Sequence, residues 1–166
     1  RGAALFVERG RCSACHLGPA FTSREFEDTG VGVHTAEGGV DPGRTRGIEK
    51  LGDRRYGLLG PFNDDPAAAP GLLTAQLAAQ HRNWGAFRVP SLRNLKVTGP
   101  YMHNGSQATL RDVVRRYSEL DADRLSTTGA GKLRPLHLSA AEIDDLVAFL
   151  ESLSGGAEHV AGPDRG

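Results

Sequence analysis

Both cysteines of this 166-residue chain lie in one segment, Cys12-Ser13-Ala14-Cys15-His16. A disulfide framework would use more cysteines, and a structural zinc site needs four ligands, which no second cysteine pair or H-x-x-x-H segment supplies. A thioredoxin-like pair would need an α/β pattern, which is absent. The spacing C-x-x-C-H is typical of c-type haem attachment, in which both thiols bond the macrocycle and the histidine binds the iron. We therefore predict one covalently bound haem c; a pair of surface thiols is the alternative.

The composition narrows the classes of partner. Lys plus Arg total 20 and Asp plus Glu total 20, so the formal net charge is 0 and no electrostatic case exists for nucleic acid or an anionic membrane. No apolar run approaches the roughly 20 residues of a membrane span, so no transmembrane segment is predicted. Aromatic residues make up 6% and glycines number 22, which indicates many loops and a small apolar core. The chain begins at Arg1 without a secretory signal, which favours a processed chain or a piece of a longer one.

The periodicity predicts a mostly α-helical domain with long loops. A short helix precedes Gly10, and a further one is predicted over Leu72 to Gln80 inside the Gly- and Pro-rich stretch 17–82. Thr109 and Ser139 are predicted N-caps, each followed three residues later by an acid. The two late helices carry apolar stripes at helical spacing: Leu110, Val113, Val114 and Tyr117 in one, and Ile143, Leu146, Val147, Leu150 and Leu153 in the other.

A low-spin haem iron needs a sixth ligand, and the residues leave three alternatives. Met102 is the single methionine, and methionine is a common ligand. Its neighbour His103 offers a second imidazole, and Tyr117 offers a phenol on the stripe of the first late helix. An open or foreign ligand is the remaining interpretation.

Several segments resemble the C-terminal haem domain of the bacterial di-haem cytochrome c peroxidase and MauG family. They are the run from Phe87 to Tyr117 with its P-S-L-R-N and P-Y-M-H-N-G blocks, the opening A-L-F-V-E-R-G-R-C-S-A-C-H, the following F-T-S-R-E-F, and D-P-G-R at Asp41 to Arg44. The resemblance implies a cytochrome c-like domain over residues 1–153, with long loops wrapping one covalent c-type haem. Residues 154–166 are then expected to form a flexible tail.

The resemblance also implies roles for particular residues. It favours His16 and Tyr117 as iron ligands, because the family's methionine position in P-Y-M-H-N-G is often Phe; Met102 becomes the runner-up, and Met102 and His103 are expected near the cofactor. Arg93 corresponds to an arginine near the haem propionates. The backbone carbonyls of Thr98 and Pro100 correspond to ligands of a calcium ion between two haem domains.

One departure from the family determines the expected function. Family members carry two C-x-x-C-H motifs, and this chain has only the second, whose iron Tyr117 would close. We therefore expect an electron-transfer module, peroxidase- or MauG-like only when paired with a second haem domain or redox protein. The alternative is a haem-bearing interaction subunit of a larger, membrane-associated redox complex without peroxidase activity of its own. By family analogy the protein is periplasmic or faces the periplasm.

Overall fold

The computed structural model describes residues 1–35, 38–51, 54–65, 67–120 and 133–155. These residues form two compact units, one made of residues 1–25 with those from 89 onward and the other of Phe26–Arg88. The described elements are helices α1 (Gly2–Val7), α2 (Arg44–Leu51), α3 (Ala69–Ala75), α4 (Leu110–Ser118) and α5 (Ala140–Ser152), strands β1 (Phe26–Glu27) and β2 (Phe87–Arg88), and 3₁₀ turns at Cys12–Ala14, His81–Asn83 and Leu95–Val97. The predicted mostly α-helical class is confirmed.

The first unit is built around α1, α4 and α5, whose apolar faces form one core. Its buried members are Phe6, Leu110, Val114, Ile143, Leu146, Leu150 and Leu153. Four of the five stripe positions predicted for α5 are buried, and the fifth, Val147, packs against the same core. The helical spacing of apolar residues in the sequence therefore placed this face correctly.

Both predicted N-caps form. The Thr109 hydroxyl accepts a hydrogen bond from the Asp112 backbone N–H at 3.1 Å, and the Ser139 hydroxyl accepts one from that of Glu142 at 3.4 Å. Each acidic side chain accepts a hydrogen bond in return from the N–H of its cap residue. Two otherwise unpaired backbone donors are satisfied at the start of each helix, which sets where α4 and α5 begin.

The end of α4 differs from the expected stripe. Tyr117 packs with Leu120 and Leu133 in a separate small cluster, whereas Leu110 and Val114 lie in the main core. The buried position of the last turn is Ser118, 3% exposed, whose hydroxyl accepts a hydrogen bond from the Leu138 N–H at 2.7 Å. The segment that leads into α5 thus docks on the end of α4, an arrangement that periodicity within α4 cannot reveal.

The second unit, Phe26–Arg88, contains α2, α3 and a two-residue antiparallel ladder that pairs Phe26 with Arg88 and Glu27 with Phe87. Helix α2 is absent from the sequence-based prediction. Helix α3 lies earlier than the predicted 72–80, because Pro70 is tolerated in a first helical turn and the helix ends at Ala75. Several large apolar side chains of this unit are exposed, Tyr56 by 81%.

Within the part of the chain that the structure describes, no helix is both long and apolar enough to cross a membrane. The sequence analysis expects a flexible tail over residues 154–166, and residues 156–166 of it lie outside the described residues.

Gly2 marks the close approach of α1 to α5. A Cβ built on Gly2 would clash with the Asp145 carbonyl and would lie 2.8 Å from the Phe149 Cβ. Because backbone atoms cannot move aside cheaply, Gly2→Ala forces the helices apart, and we expect a loss of about 1–3 kcal/mol in the free energy of unfolding. Denaturant titration measures this loss.

Gly47 provides the matched control. It lies inside α2, and a Cβ there would meet nothing within 4 Å. Alanine is a better helix former by about 1 kcal/mol, so Gly47→Ala should be neutral or stabilising. Equal destabilisation by both substitutions would contradict the packing explanation.

Glu142 connects the chain after α1 to the start of α5. One of its carboxylate oxygens pairs with the Arg9 guanidinium at 2.8 Å and the other accepts hydrogen bonds from Ser139, which together lower its pKa from 4.5 to about 2. Because the folded state lowers the pKa of Glu142, the ionised side chain stabilises the folded protein above pH 4.5. This contribution is lost as the pH falls towards 2.

We therefore expect Glu142→Gln to lower the Tm by a few degrees at neutral pH and by progressively less as the pH falls through this range. Thermal unfolding followed by circular dichroism across the pH series measures the effect. A Tm difference that did not change with pH would show that Glu142 acts through something other than its charge.

Candidate functional site

The turn that carries the cysteines follows α1 closely, separated from it only by residues 8–11. The Gly10 N–H donates to the Leu5 carbonyl at 2.8 Å, and a Cβ on Gly10 would lie 2.7 Å from that oxygen, so only glycine fits this tight exit. Arg11 is left-handed, and the 3₁₀ turn Cys12–Ala14 follows. The N–H groups of Cys15 and His16 both donate to the Cys12 carbonyl, at 3.2 and 2.9 Å. The backbone thereby holds both sulfurs and the imidazole on one compact turn.

Neither sulfur is part of a disulfide, and both cysteines are partly exposed. Cys12 packs against the main core, and burial raises the pKa of its thiol to about 11. Its Sγ lies 3.5 Å from the Gly10 carbonyl oxygen. The Cys12 sulfur therefore stays protonated at neutral pH at the edge of an apolar surface, a poor setting for an ionised nucleophile.

The His16 ring is oriented by a backbone acceptor. Its Nδ1 lies 3.1 Å from the Phe21 carbonyl oxygen, which can only accept, so Nδ1 carries the proton and donates. Burial lowers the pKa of His16 more than the Phe21 and Pro90 carbonyls raise it. The ring is therefore neutral at physiological pH, with its lone pair on Nε2, which is the state a metal-binding histidine needs.

The loop that supplies this acceptor, residues 17–22, is itself closed by hydrogen bonds. The Phe21 N–H donates to the Gly18 carbonyl and the Thr22 N–H to the Leu17 carbonyl, at 3.0 and 2.9 Å. The Phe21 ring packs edge-on against Phe6 and Phe149, with centroids 6.0 and 6.2 Å apart. The acceptor for His16 is thus tied to the core formed by α1 and α5.

Arg93, expected beside a propionate, makes its described contacts with the same loop. Its Nε and Nη2 both donate to the Pro19 carbonyl, at 2.9 and 2.7 Å, and its guanidinium lies 5.0 Å from the centroid of the Phe21 ring. Ser91 donates to the Ala20 carbonyl at 2.6 Å. Sequence reasoning missed Ser91 and Phe21, although both lie in segments that carry the family resemblance.

The alternatives for a sixth ligand lie in different surroundings. Met102 is half-buried with a φ of 68°, in the turn closed by the pairing of Tyr101 with Gln107, and His103 beside it is exposed. The Tyr101 hydroxyl donates to the Leu95 carbonyl at 2.6 Å. Tyr117 is half-buried in the small cluster at the end of α4.

Thr98 and Pro100, the expected calcium ligands, are exposed residues after the 3₁₀ turn Leu95–Val97. Among the described residues, no group of three or more His, Cys, Asp or Glu side chains could hold a metal ion. A calcium ion bound by the Thr98 and Pro100 carbonyls would therefore need further oxygen ligands from elsewhere.

The donor set at Cys12, Cys15 and His16 fits a c-type haem. Two thiols that are not joined to each other lie on one turn, and the Nδ1 atom of the adjacent imidazole is held by the Phe21 carbonyl. The turn borders an apolar core, as a large apolar macrocycle requires.

Comparisons with solved structures define the class of the fold. A MauG-like protein associated with microbial copper homeostasis is 26% identical, with a TM-score of 0.61 over 98% of this chain and 45% of its own. A variant of the di-haem peroxidase BthA from Burkholderia thailandensis gives a TM-score of 0.54 over 93% of this chain and 41% of its own, at 21% identity. The chain has the cytochrome c-like fold of these proteins.

Curated relatives identify the family. The cytochrome c peroxidase IdrP1 of Denitromonas iodatirespirans is 35% identical over 93% of this chain, and IdrP2 of the same organism is 37% identical over 98%. The methylamine utilization protein MauG of Methylorubrum extorquens is 35% identical over 92%. Over more than nine tenths of its length, this chain is homologous to cytochrome c peroxidases and MauG, as its motifs predicted.

The chain spans 39% of IdrP1, 41% of IdrP2 and 33% of MauG. It therefore corresponds to about two fifths of the length of the peroxidases. No protein-family model matches the chain.

Proposed function

We propose that this chain holds one haem c through Cys12 and Cys15, with His16 as the proximal iron ligand. The observation that carries the proposal is the hydrogen bond of His16 Nδ1 to the Phe21 carbonyl, on the same turn as two thiols that are not disulfide-bonded. A histidine held in this way presents its Nε2 lone pair in a fixed direction, and carbonyl partners of this kind are typical of metal-ligating histidines.

The function we assign is electron transfer, as the electron-transferring half of a peroxidase- or MauG-like oxidoreductase. A bound haem would carry one electron through its ferric and ferrous states. The chain's contribution is to hold the imidazole neutral, through burial, and oriented, through the Phe21 carbonyl. A single C-x-x-C-H motif in 166 residues, against relatives more than twice as long, supports a module that works with a second haem domain or redox protein.

For the sixth ligand we favour Tyr117, with Met102 as runner-up and His103 near the cofactor. Tyr117 lies half-buried in the last turn of α4 against Leu120 and Leu133, and the family resemblance places the axial ligand at the end of this helix. Met102 lies in a tight turn and His103 is exposed at the same turn, so both suit contact with a cofactor edge.

The remaining assignments follow from family membership. We propose that the carbonyls of Thr98 and Pro100 bind calcium together with ligands from a partner domain, since both residues are exposed. We also propose a periplasmic or periplasm-facing location, because its curated relatives are cytochrome c peroxidases and MauG proteins.

A second function, a haem-bearing interaction subunit of a larger redox complex, is favoured by one observation in the second unit. In this unit, the Arg55 guanidinium lies over the stacked rings of Tyr56 and Phe62. The Tyr56 side chain is 81% exposed. Exposed aromatic and arginine side chains are enriched at protein interfaces. If this reading is correct, blocking reduction of the haem leaves the activity of the complex intact.

The first experiment tests attachment and function together. We expect the chain, produced in a host that attaches haem c, to retain one haem in its denatured mass and to take up one electron reversibly without measurable peroxide turnover. Cys12→Ser with Cys15→Ser should abolish covalent retention. Ser13→Ala, between the same cysteines, is the matched control and should retain it. A denatured mass equal to the bare polypeptide would refute the proposal.

The second experiment assigns the sixth ligand. If Tyr117 binds the iron, Tyr117→Phe removes the phenol oxygen, and the ferric optical and electron paramagnetic resonance spectra change, while Met102→Leu leaves them as in the unsubstituted protein. The opposite result identifies Met102. Changes in neither variant would show that both residues only pack.

A further inference from the structure

We infer that Arg93 and Ser91 are positioning residues for the proximal ligand, acting through the loop 17–22 that carries the His16 acceptor. The inference rests on the proposed role of His16 as the iron ligand. It assigns to the P-S-L-R segment a task different from the propionate contact that the resemblance implies.

The first step concerns the direct contacts of Arg93 with the loop. Two of its nitrogens converge on the single carbonyl oxygen of Pro19, at 2.9 and 2.7 Å, and the guanidinium stacks over the Phe21 ring at 5.0 Å. A planar fork can make these contacts together, whereas the ammonium of lysine cannot. Arg93 therefore restrains the loop on both sides of Ala20.

The second step is the bond from Ser91. Its hydroxyl donates to the Ala20 carbonyl at 2.6 Å and also accepts a hydrogen bond from the Arg93 N–H at 3.2 Å. Consecutive loop carbonyls, those of Pro19 and Ala20, are thus held by side chains of one short segment. The next carbonyl in the chain, that of Phe21, is the one that accepts from His16 Nδ1 at 3.1 Å.

The third step is the attachment of that segment to the far end of the loop. The Thr22 hydroxyl donates to the Val89 carbonyl at 2.6 Å, and the Val89 N–H donates to the Glu25 carbonyl at 2.8 Å. Residues 89–93 therefore bind the loop before and after Phe21. The position of the Phe21 oxygen, and with it the orientation of the His16 ring, depends on these contacts.

The reduction potential of the haem-loaded protein separates this role from a charge effect. A firm hydrogen bond from Nδ1 makes the imidazole a stronger donor and stabilises ferric iron, so loosening the loop raises the potential. Removing a nearby positive charge instead stabilises ferric iron and lowers the potential. Arg93→Lys and Ser91→Ala leave the net charge unchanged, so they report on positioning alone.

We expect both variants to raise the midpoint potential and to broaden the electron paramagnetic resonance lines of the ferric protein, because the ring samples more orientations. Arg88→Lys, an exposed arginine of β2, is the matched control and should match the unsubstituted protein. An unchanged potential in Arg93→Lys and Ser91→Ala, or a lowered potential in Arg93→Ala alone, would overturn the inference. If Arg93→Lys does not accumulate, Ser91→Ala decides by itself.

Failure of the underlying proposal is distinguishable from failure of this inference. Absence of a retained haem in the denatured mass of the unsubstituted chain refutes the proposed function before any variant is compared. Retained haem with unchanged potentials refutes only the role of Arg93 and Ser91.

Discussion

The close packing of α1 on α5 is the constraint on which the first unit depends. Helix α1 has only six residues, too few to be stable alone, so its helicity depends on burying Phe6 against α5. The absence of a side chain at Gly2 permits that approach, since the Asp145 carbonyl occupies the space of a Cβ. Only residues 8–11 separate α1 from the cysteine turn, and the Gly10 N–H is bonded to the Leu5 carbonyl, so the position of Cys12 depends on this helix contact.

The same core controls the histidine through a short chain of contacts. Phe6 and Phe149 pack on the Phe21 ring, and the Phe21 carbonyl accepts a hydrogen bond from His16 Nδ1. Arg93 adds a restraint from outside the core, through Pro19 and the Phe21 ring. The stability of the fold and the orientation of the His16 ring are therefore linked, because Phe21 contributes to both.

Local signals predicted most of the first unit and little of the second. The caps at Thr109 and Ser139 and the stripe of α5 depend on neighbours within four residues, and they form as expected. The sequence analysis missed helix α2 because Gly43 and Gly47 weaken its local helical signal. Gly43 in fact stands just before the first helical residue, with a positive φ. Tyr117 was expected in the main stripe, but the returning segment at Leu138 docks on Ser118 and leaves Tyr117 in a separate cluster.

The sequence alone determined the resemblance to cytochrome c peroxidases and MauG, the mostly helical class and the C-x-x-C-H motif, because these depend on residue type at short spacing. The tertiary structure decided which groups, distant in sequence, orient the residues of that motif. The link between Arg93 and Pro19 spans 74 residues, and the link between Ser91 and Ala20 spans 71. A hydrogen bond from a side chain to a backbone carbonyl cannot be predicted from the type of the acceptor residue, since every residue has the same carbonyl. Only the folded chain reveals that the P-S-L-R segment holds the loop beside His16.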